Sequence, residues 1–255
     1  MFTSWKATLP DYFKGSEEDP NNVFMANIEE LVEIVVQPMI DFIRNECVET
    51  SGTNDQAIIQ AFLRIWGTLL ARFNNASFTA ELDKRQANNI IDNMFLFALI
   101  WSICITCNSE YRRPIDSYLK KVLDGSVEGL ARFEGNKKIL PSSFDRGLIY
   151  DYRYDADKNE WRGWMADTDK DQLDNFGKGV KVQEIIVTTV DTVRYSFIQK
   201  FCILNEIPTL FVGPTGTGKS VYIQNVLMNQ LNTPDEVKYQ FIEIGFSAQT
   251  HCNQV

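Results

Sequence analysis

Eight consecutive residues of the sequence have the spacing of a phosphate-binding loop. They follow the pattern G-x-x-x-x-G-K-[ST], directly after an apolar stretch and before a predicted helix. Glycines let the backbone curl so that successive N–H groups point at phosphate oxygens, and the helix start adds partial positive charge. We therefore predict a nucleotide-binding site at Gly213, Pro214, Thr215, Gly216, Thr217, Gly218, Lys219 and Ser220.

Two side chains of this loop have distinct expected roles. Lys219 would reach the β- and γ-phosphates as a point charge, and the Ser220 hydroxyl would ligate Mg²⁺ held by the nucleotide. The expected cofactors are therefore ATP or ADP together with Mg²⁺.

The elements around the loop are predicted to form a βαβ unit. The apolar run Thr209–Val212 predicts a strand, residues 220–231 predict a helix, and Tyr239–Phe246 predicts a second strand parallel to the first. Hydrolysis would need an acidic residue at the end of a neighbouring strand. Glu243 lies inside the second predicted strand, without the apolar run expected before such a residue. We therefore expect the Glu243 side chain to lie on the less buried face of this strand. We assign no catalytic residue and expect no ATP hydrolysis by this chain alone.

Residues 1–125 are predicted to form a helical subdomain. Apolar residues recur at helical spacing over residues 28–43, where Pro38 is expected to kink or divide the helix. Thr53 and Gln56 have the spacing of a capping box at the start of the next helix.

The later helices of this subdomain have clear ends. The run Met94–Cys107 is strongly apolar but shorter than the roughly 20 residues of a bilayer span, so it predicts a buried helix. A last helix over residues 114–123 is expected to stop at Gly125, a C-cap position. Short connections between such helices suggest a small bundle.

Residues 126–182 are predicted to connect the helices to the nucleotide-binding region. Alternation over residues 148–154, followed by Trp161 and Trp164, predicts a β-hairpin that packs its aromatic rings onto the domain. Residues 167–179 are acidic and predict a solvated loop; they lack the spacing of a calcium loop.

Residues 183–255 are predicted to be the start of a P-loop domain. A short extended segment at residues 185–187 precedes a helix over residues 190–204. The predicted fold class is α/β: a helical subdomain and a hairpin, then strand, P-loop, helix and strand. The apolar residues at helical spacing in the 190–204 helix are Val193, Phe197, Phe201 and Leu204.

Composition restricts the function classes. The 255 residues are 44% hydrophobic, which suffices for a core, and carry a net charge of −9. The acidic balance argues against a nucleic-acid partner, and no targeting or membrane-spanning segment is predicted.

Five cysteines suggest a reduced, intracellular protein. Cys104 and Cys107 have redox or zinc half-site spacing, but their apolar context favours core cysteines, and His251 is expected to be solvated.

The loop and the earlier helices together resemble axonemal dynein heavy chains. The stretch FVGPTGTGKS, preceded by TTVDTVRYSFI and followed by YQFIEIGFSAQT, is similar to their third AAA+ module. Residues 150–152 with Trp161 and Trp164 resemble the entry to that module. The motifs that resemble the helical lid of the second module are Ser4-Trp5, Leu9-Pro10, Val36-Gln37-Pro38 and FLFALIWS at residues 95–102.

This resemblance implies further expectations. Residues 1–125 would be the lid of the second module, and residues 183–255 the incomplete start of the third. Val187, Thr188 and Thr189 would lie beside the adenine, where Thr188 replaces the proline of the family's Val-Pro-Thr stretch. In dyneins the third module is regulatory: its nucleotide state gates communication between the main hydrolytic module and the microtubule-binding stalk. The Walker B acid, the sensor residues and the stalk are not found in this sequence.

The implied partners are the remainder of a dynein ring and other dynein subunits, with microtubules only indirect and neither nucleic acid nor membrane involved. The implied location is the cytoplasm, the cytoskeleton and the axoneme of cilia or flagella. Two alternatives remain open: a non-catalytic assembly fragment that does not bind nucleotide by itself, and an unrelated P-loop kinase or NTPase.

Overall fold

The computed structural model describes residues 1–14, 23–166, 189–232, 238–246 and 251. The chain divides into two compact units, Met1–Val190 and Asp191–Val255. The predicted acidic loop, the predicted extended segment and the adenine-side residues Val187 and Thr188 lie outside the described residues. The predicted domain boundaries at residues 125 and 182 stay predictions.

The first unit is mostly helical. Its helices are α1 (Phe2–Lys6), α2 (Val23–Leu31), α3 (Gln37–Glu46), α4 (Asp55–Leu70), α5 (Ala76–Thr79), α6 (Lys84–Ser102) and α7 (Arg112–Leu123).

Helix α6 is the core of this unit. From Met94 to Ser102 every side chain is buried, because the sequence there is apolar on all sides of the helix. Rings of α4 pack against it: Phe62 and Trp66 meet Phe95 edge to face, with centroids 5.4 and 5.1 Å apart. Residues 84–106 are long and apolar enough to cross a membrane, yet 83% of the qualifying window is buried inside the protein. The predicted buried helix is confirmed as far as Ser102, where α6 ends, and Cys104–Thr106 form a 3-10 turn instead.

The predicted interruption at Pro38 is also confirmed, and it takes the form of a π-helical turn. Residues Val32–Val36 form this turn between α2 and α3. Proline has no N–H, and its ring crowds the carbonyl four residues earlier, here that of Ile34. The wider turn accommodates both effects without breaking the helical path.

Only some of the predicted helix caps are confirmed. The predicted box of Thr53 and Gln56 is wrong: the N-cap of α4 is Asn54, whose side chain accepts the N–H of Ala57 at 2.7 Å. Thr53 is unavailable because its hydroxyl and its N–H both donate to the carboxylate of Glu49.

A capping box does occur two helices later. Asp83 and Gln86 form a capping box at the start of α6. The predicted stop at Gly125 is confirmed, since this residue has φ +72 and its N–H donates to Val122 after the end of α7. The N–H of Ser126 donates to Lys121, which completes a Schellman motif.

The predicted hairpin forms, but it begins later than expected. Strands β1 (Tyr152–Asp155) and β2 (Glu160–Gly163) pair antiparallel, with Tyr154 opposite Trp161. Residues Ile149–Asp151 form a 3-10 turn instead of extended backbone. The Asp151 carboxylate favours this turn because it accepts the N–H of Leu148 at 2.9 Å.

The hairpin packs its tryptophans onto the helices as predicted. The Trp161 indole N–H donates to Asn93 of α6 at 2.7 Å, and the Trp164 indole N–H donates to the Tyr150 carbonyl at 2.9 Å. Trp101 of α6 meets Trp164 edge to face at 5.5 Å. The hairpin is therefore part of the same core as α6.

A partly buried polar cluster ties the chain after α7 to α2 and α6. The Lys137 ammonium contacts the Asp92 carboxylate at 2.8 Å and also donates to Asn27. The Asn27 amide donates to Asp92 and Asn88, each at 3.0 Å. Burial raises the pKa of Asp92, although Lys137 and Asn27 oppose this by stabilising the carboxylate. The cluster compensates a charge that would otherwise be buried alone.

The second unit contains two described helices, α8 (Val190–Leu204) and α9 (Lys219–Asn229). Both helices were predicted, but α8 does not bury its predicted apolar stripe. Leu204 is exposed, whereas the buried side chains of this helix are mostly polar: Thr192, Arg194, Ser196, Gln199 and Cys202. The Gln199 amide donates to the Ile223 carbonyl of α9 at 3.3 Å.

The two predicted strands of the βαβ unit are wrong for the described residues. Neither 209–212 nor 239–246 forms a strand, and no backbone hydrogen bond is recorded between them in the part that the structure describes. Leu210 is 82% exposed and Ile242 is 89% exposed. A parallel strand needs a hydrogen-bonded neighbour and a covered face, and the apolar pattern alone supplies neither.

We expect Lys137→Met to lower the free energy of unfolding by about 2 kcal/mol near neutral pH, less than for a fully buried pair because the lysine is partly exposed. Denaturant titration would measure this, with exposed Lys138→Met as the matched control. Asp92 is neutral in both states below its unfolded pKa of 3.8. The decrease in the free energy of unfolding caused by Lys137→Met should therefore be small at pH 3.5 and grow as the pH rises. Equal losses for both variants would contradict the role of the cluster.

Candidate functional site

The predicted phosphate-binding residues form one exposed loop that leads directly into α9. Gly216 and Gly218 have φ of +83 and +79, a conformation that residues with a Cβ rarely adopt. Gly218 is the N-cap of α9, which begins at Lys219. The glycines thus do what the motif requires: they turn the backbone sharply just before a helix N-terminus.

The side chain of Lys219 folds back over this loop. Its ammonium donates to the carbonyls of Gly213 at 2.8 Å and Pro214 at 2.6 Å, and to the Thr217 hydroxyl at 3.2 Å. The Thr217 hydroxyl in turn donates to the Pro214 carbonyl at 2.9 Å. These contacts hold the single cation of the loop at its centre.

The loop presents donors for an anion. Among the described residues, no backbone N–H from Gly216 to Ser220 is recorded donating to a backbone carbonyl. The first N–H groups of α9 add to this set, because the N-terminus of a helix lacks internal acceptors. Ser220 is exposed at the second position of α9. Residues 213–220 contain no acidic side chain that would oppose a phosphate.

Three further candidate residues lie in the described parts of the chain. Thr189 is exposed immediately before α8. Glu243 accepts the amide of Gln224 of α9 at 3.0 and 3.1 Å through its two carboxylate oxygens. The apolar pattern of the sequence does not predict this contact. It joins residues 239–246 to α9 through side chains. His251 is exposed, as predicted.

Cys104, Cys107 and Cys202 are buried. Cys104 and Cys107 are 1% and 8% exposed, which confirms the prediction that they belong to the core. Burial raises the pKa of the Cys202 thiol to about 11. Within the described ranges, no group of three histidine, cysteine or acidic residues is arranged to hold a metal ion.

Comparison with known protein families accounts for both units. Residues 28–166 match the model of the dynein heavy chain AAA lid domain, and residues 175–255 match that of the P-loop containing dynein motor region. The two matches define a class of protein in which an AAA lid domain is followed by a P-loop motor region. The chain belongs to the dynein heavy chain family.

The relatives are axonemal. The chain is 30% identical to dynein axonemal heavy chain 12 of Rattus norvegicus over 98% of its own length and 8% of that relative. It is 40% identical to the Homo sapiens protein of the same name over 63% of its length and 5% of the relative. Dynein axonemal heavy chain 3 of Mus musculus is 31% identical over 89% of the chain and 6% of the relative. The chain therefore spans only a small part of the proteins it matches.

The two left-handed glycines give a direct test of the loop conformation. We expect Gly216→Ala to destabilise the start of α9 by about 1 kcal/mol, since only the unfavourable φ opposes it. Gly218→Ala should cost more, because its new Cβ would also lie 3.3 Å from the Tyr222 ring, whereas nothing lies within 4 Å at Gly216.

Native-state hydrogen exchange of the Tyr222 amide, which donates to the Gly218 carbonyl, would measure both effects. Gly245→Ala is the matched control, since that glycine has open space and no left-handed φ. Unchanged exchange in both loop variants would contradict the described conformation.

Proposed function

We propose that residues 213–220 bind the phosphates of ATP or ADP with Mg²⁺. The observation that carries this proposal is the Lys219 ammonium held over a loop turned by Gly216 and Gly218 at the start of α9. Phosphate oxygens are stronger acceptors for an ammonium than neutral carbonyls, so bound nucleotide would replace the present partners of Lys219. The match to a P-loop containing motor region supports the same reading.

The role of each group follows from its chemistry. The free N–H groups of the loop and of the first turn of α9 would donate to phosphate oxygens, and Lys219 would neutralise their charge. The Ser220 hydroxyl would hold Mg²⁺ on the nucleotide. Val187, Thr188 and Thr189 would lie on the adenine side. We propose binding without hydrolysis, since no residue of the chain is assigned as the catalytic acid.

At the level of the whole protein, we propose a regulatory nucleotide site in the third AAA+ module of a ciliary or flagellar dynein. Residues 28–166 would then be the lid of the preceding module. The axonemal names of the relatives support this placement. The partners would be the remainder of the heavy-chain ring and other dynein subunits. The location would be the axoneme, within the cytoskeleton and cytoplasm, and any contribution to microtubule-based movement would be indirect.

A second candidate function is assembly without nucleotide binding. Three apolar side chains of the second unit are strongly exposed, Leu210, Ile242 and Phe246 at 82%, 89% and 70%. Exposed apolar groups of this size favour association with other chain segments. Concentration-dependent sedimentation of a chain that binds no nucleotide would support this function over the first.

The binding proposal is tested by equilibrium titration of a fluorescent ATP analogue with Mg²⁺. We expect Lys219→Ala to weaken binding about 100-fold, because a charge-assisted contact to phosphate is lost. Lys238→Ala is the matched control, an exposed lysine of the same unit outside the loop. Equal binding by wild type and Lys219→Ala, with unchanged circular dichroism, would remove the site assignment.

The proposed role of Ser220 is tested by comparing nucleotide binding with and without Mg²⁺. We expect Ser220→Ala to weaken binding roughly tenfold in Mg²⁺ and to leave binding in EDTA unchanged, because only the metal contact is lost. Ser247→Ala offers a serine control at a distance in sequence from the loop. An equal loss with and without Mg²⁺ would show that Ser220 acts on the phosphates or on the fold and not on the metal.

A further inference from the structure

A single antiparallel bridge brings the chain after α3 against the chain after α6. It pairs Glu49 with Cys107, and beside it the Thr50 N–H donates to the Thr106 carbonyl at 3.0 Å. Side chains alternate along extended backbone. Cys47, two residues before Glu49, therefore lies on the same side of the bridge as Cys107.

Three thiols lie near this bridge, and two of them are diagonal neighbours across it. Cys107 lies opposite Glu49, so Cys47 is its diagonal neighbour on the same face, and each of the two thiols affects the pKa of the other. Cys104 lies in the 3-10 turn Cys104–Thr106, before the bridge. The C-x-x-C spacing would pair Cys104 with Cys107, but the bridge places Cys47 diagonally opposite Cys107. All three cysteines are free thiols.

Accessibility separates the members of this cluster. Cys47 is partly exposed, whereas Cys107 is 8% exposed and Cys104 is 1% exposed. A dissolved reagent therefore reaches Cys47 first, and the diagonal neighbour of Cys47 across the bridge is Cys107.

We propose that Cys47 and Cys107 are a site of reversible disulfide formation with low-molecular-weight disulfides such as glutathione disulfide. The Cys47 thiolate attacks one sulfur of the small disulfide, which leaves a mixed disulfide on Cys47 and releases one thiol. The Cys107 thiolate then attacks the Cys47 sulfur, and the second small thiol leaves. The protein loses two electrons and two protons, and the small disulfide gains both. The new bond joins the end of α3 to the segment after α6.

The surroundings set the rate of this exchange. Burial raises the pKa of the Cys47 thiol to about 12, and Cys107 and Glu46 contribute in the same direction. Burial also raises the pKa of Cys107, with Glu49 adding to this and Thr106, Cys47 and Arg44 opposing it. Because only thiolates attack disulfides, exchange is slow at neutral pH and faster under alkaline conditions.

Peptide mapping tests the proposal on the full chain. The chain is incubated with glutathione disulfide at pH 9, the remaining thiols are alkylated, and the protein is digested with trypsin. Cys47 falls in peptide 45–64 and both other thiols fall in peptide 86–112. We expect a cross-link between these two peptides, lost on reduction with dithiothreitol. Its mass should be 2 mass units below the sum of the two peptides plus one alkyl group, which Cys104 carries.

Serine variants assign the bond. The cross-link should persist in Cys104→Ser and be lost in Cys107→Ser, with circular dichroism confirming that both variants fold. A disulfide within peptide 86–112 would overturn the proposal, because it would pair Cys104 with Cys107. A cross-link that survives in Cys107→Ser, or unmodified thiols after complete incubation, would overturn it as well.

Discussion

The burial of α6 on all sides is the constraint on which the first unit depends. A helix that is apolar around its whole circumference must be covered by several elements at once. Helix α4 covers it through Phe62 and Trp66, and the hairpin covers it through Trp161 and Trp164. The polar cluster of Lys137 and Asp92 attaches a connecting segment to the same helix. One apolar stretch of sequence thus organises parts of the chain that are far apart in sequence.

The sequence predicts most where local chemistry decides the structure. The buried run of α6, the effect of Pro38 and the stop at Gly125 each depend on residues within a turn or two, and all three are confirmed. The capping box at Thr53 is wrong because Glu49, which Arg44 holds from another element, takes the threonine's hydrogen bonds. A competing partner of this kind cannot be seen in a pattern of four residues.

In the second unit, contacts with other parts of the chain are even harder to predict from the sequence. Helices α8 and α9 were predictable from spacing, but the buried face of α8 is polar, and neither predicted strand forms among the described residues. Strands depend on partners elsewhere in the chain, whereas the loop at residues 213–220 is specified by its own glycines and lysine. The position of the candidate site was therefore predictable. The contacts of Lys219 with its own loop carbonyls were not, because the motif specifies where the lysine stands in the chain and not which rotamer its long side chain adopts.

The proposed nucleotide site requires that this loop surround the phosphates with its own N–H groups. Hydrogen–deuterium exchange of the whole chain, with and without Mg²⁺-ATP, tests it most directly. We expect slower exchange confined to the amides of residues 215–220 and the first turn of α9, with α6 unchanged. Identical exchange in the two states, or protection only outside the loop, would contradict it.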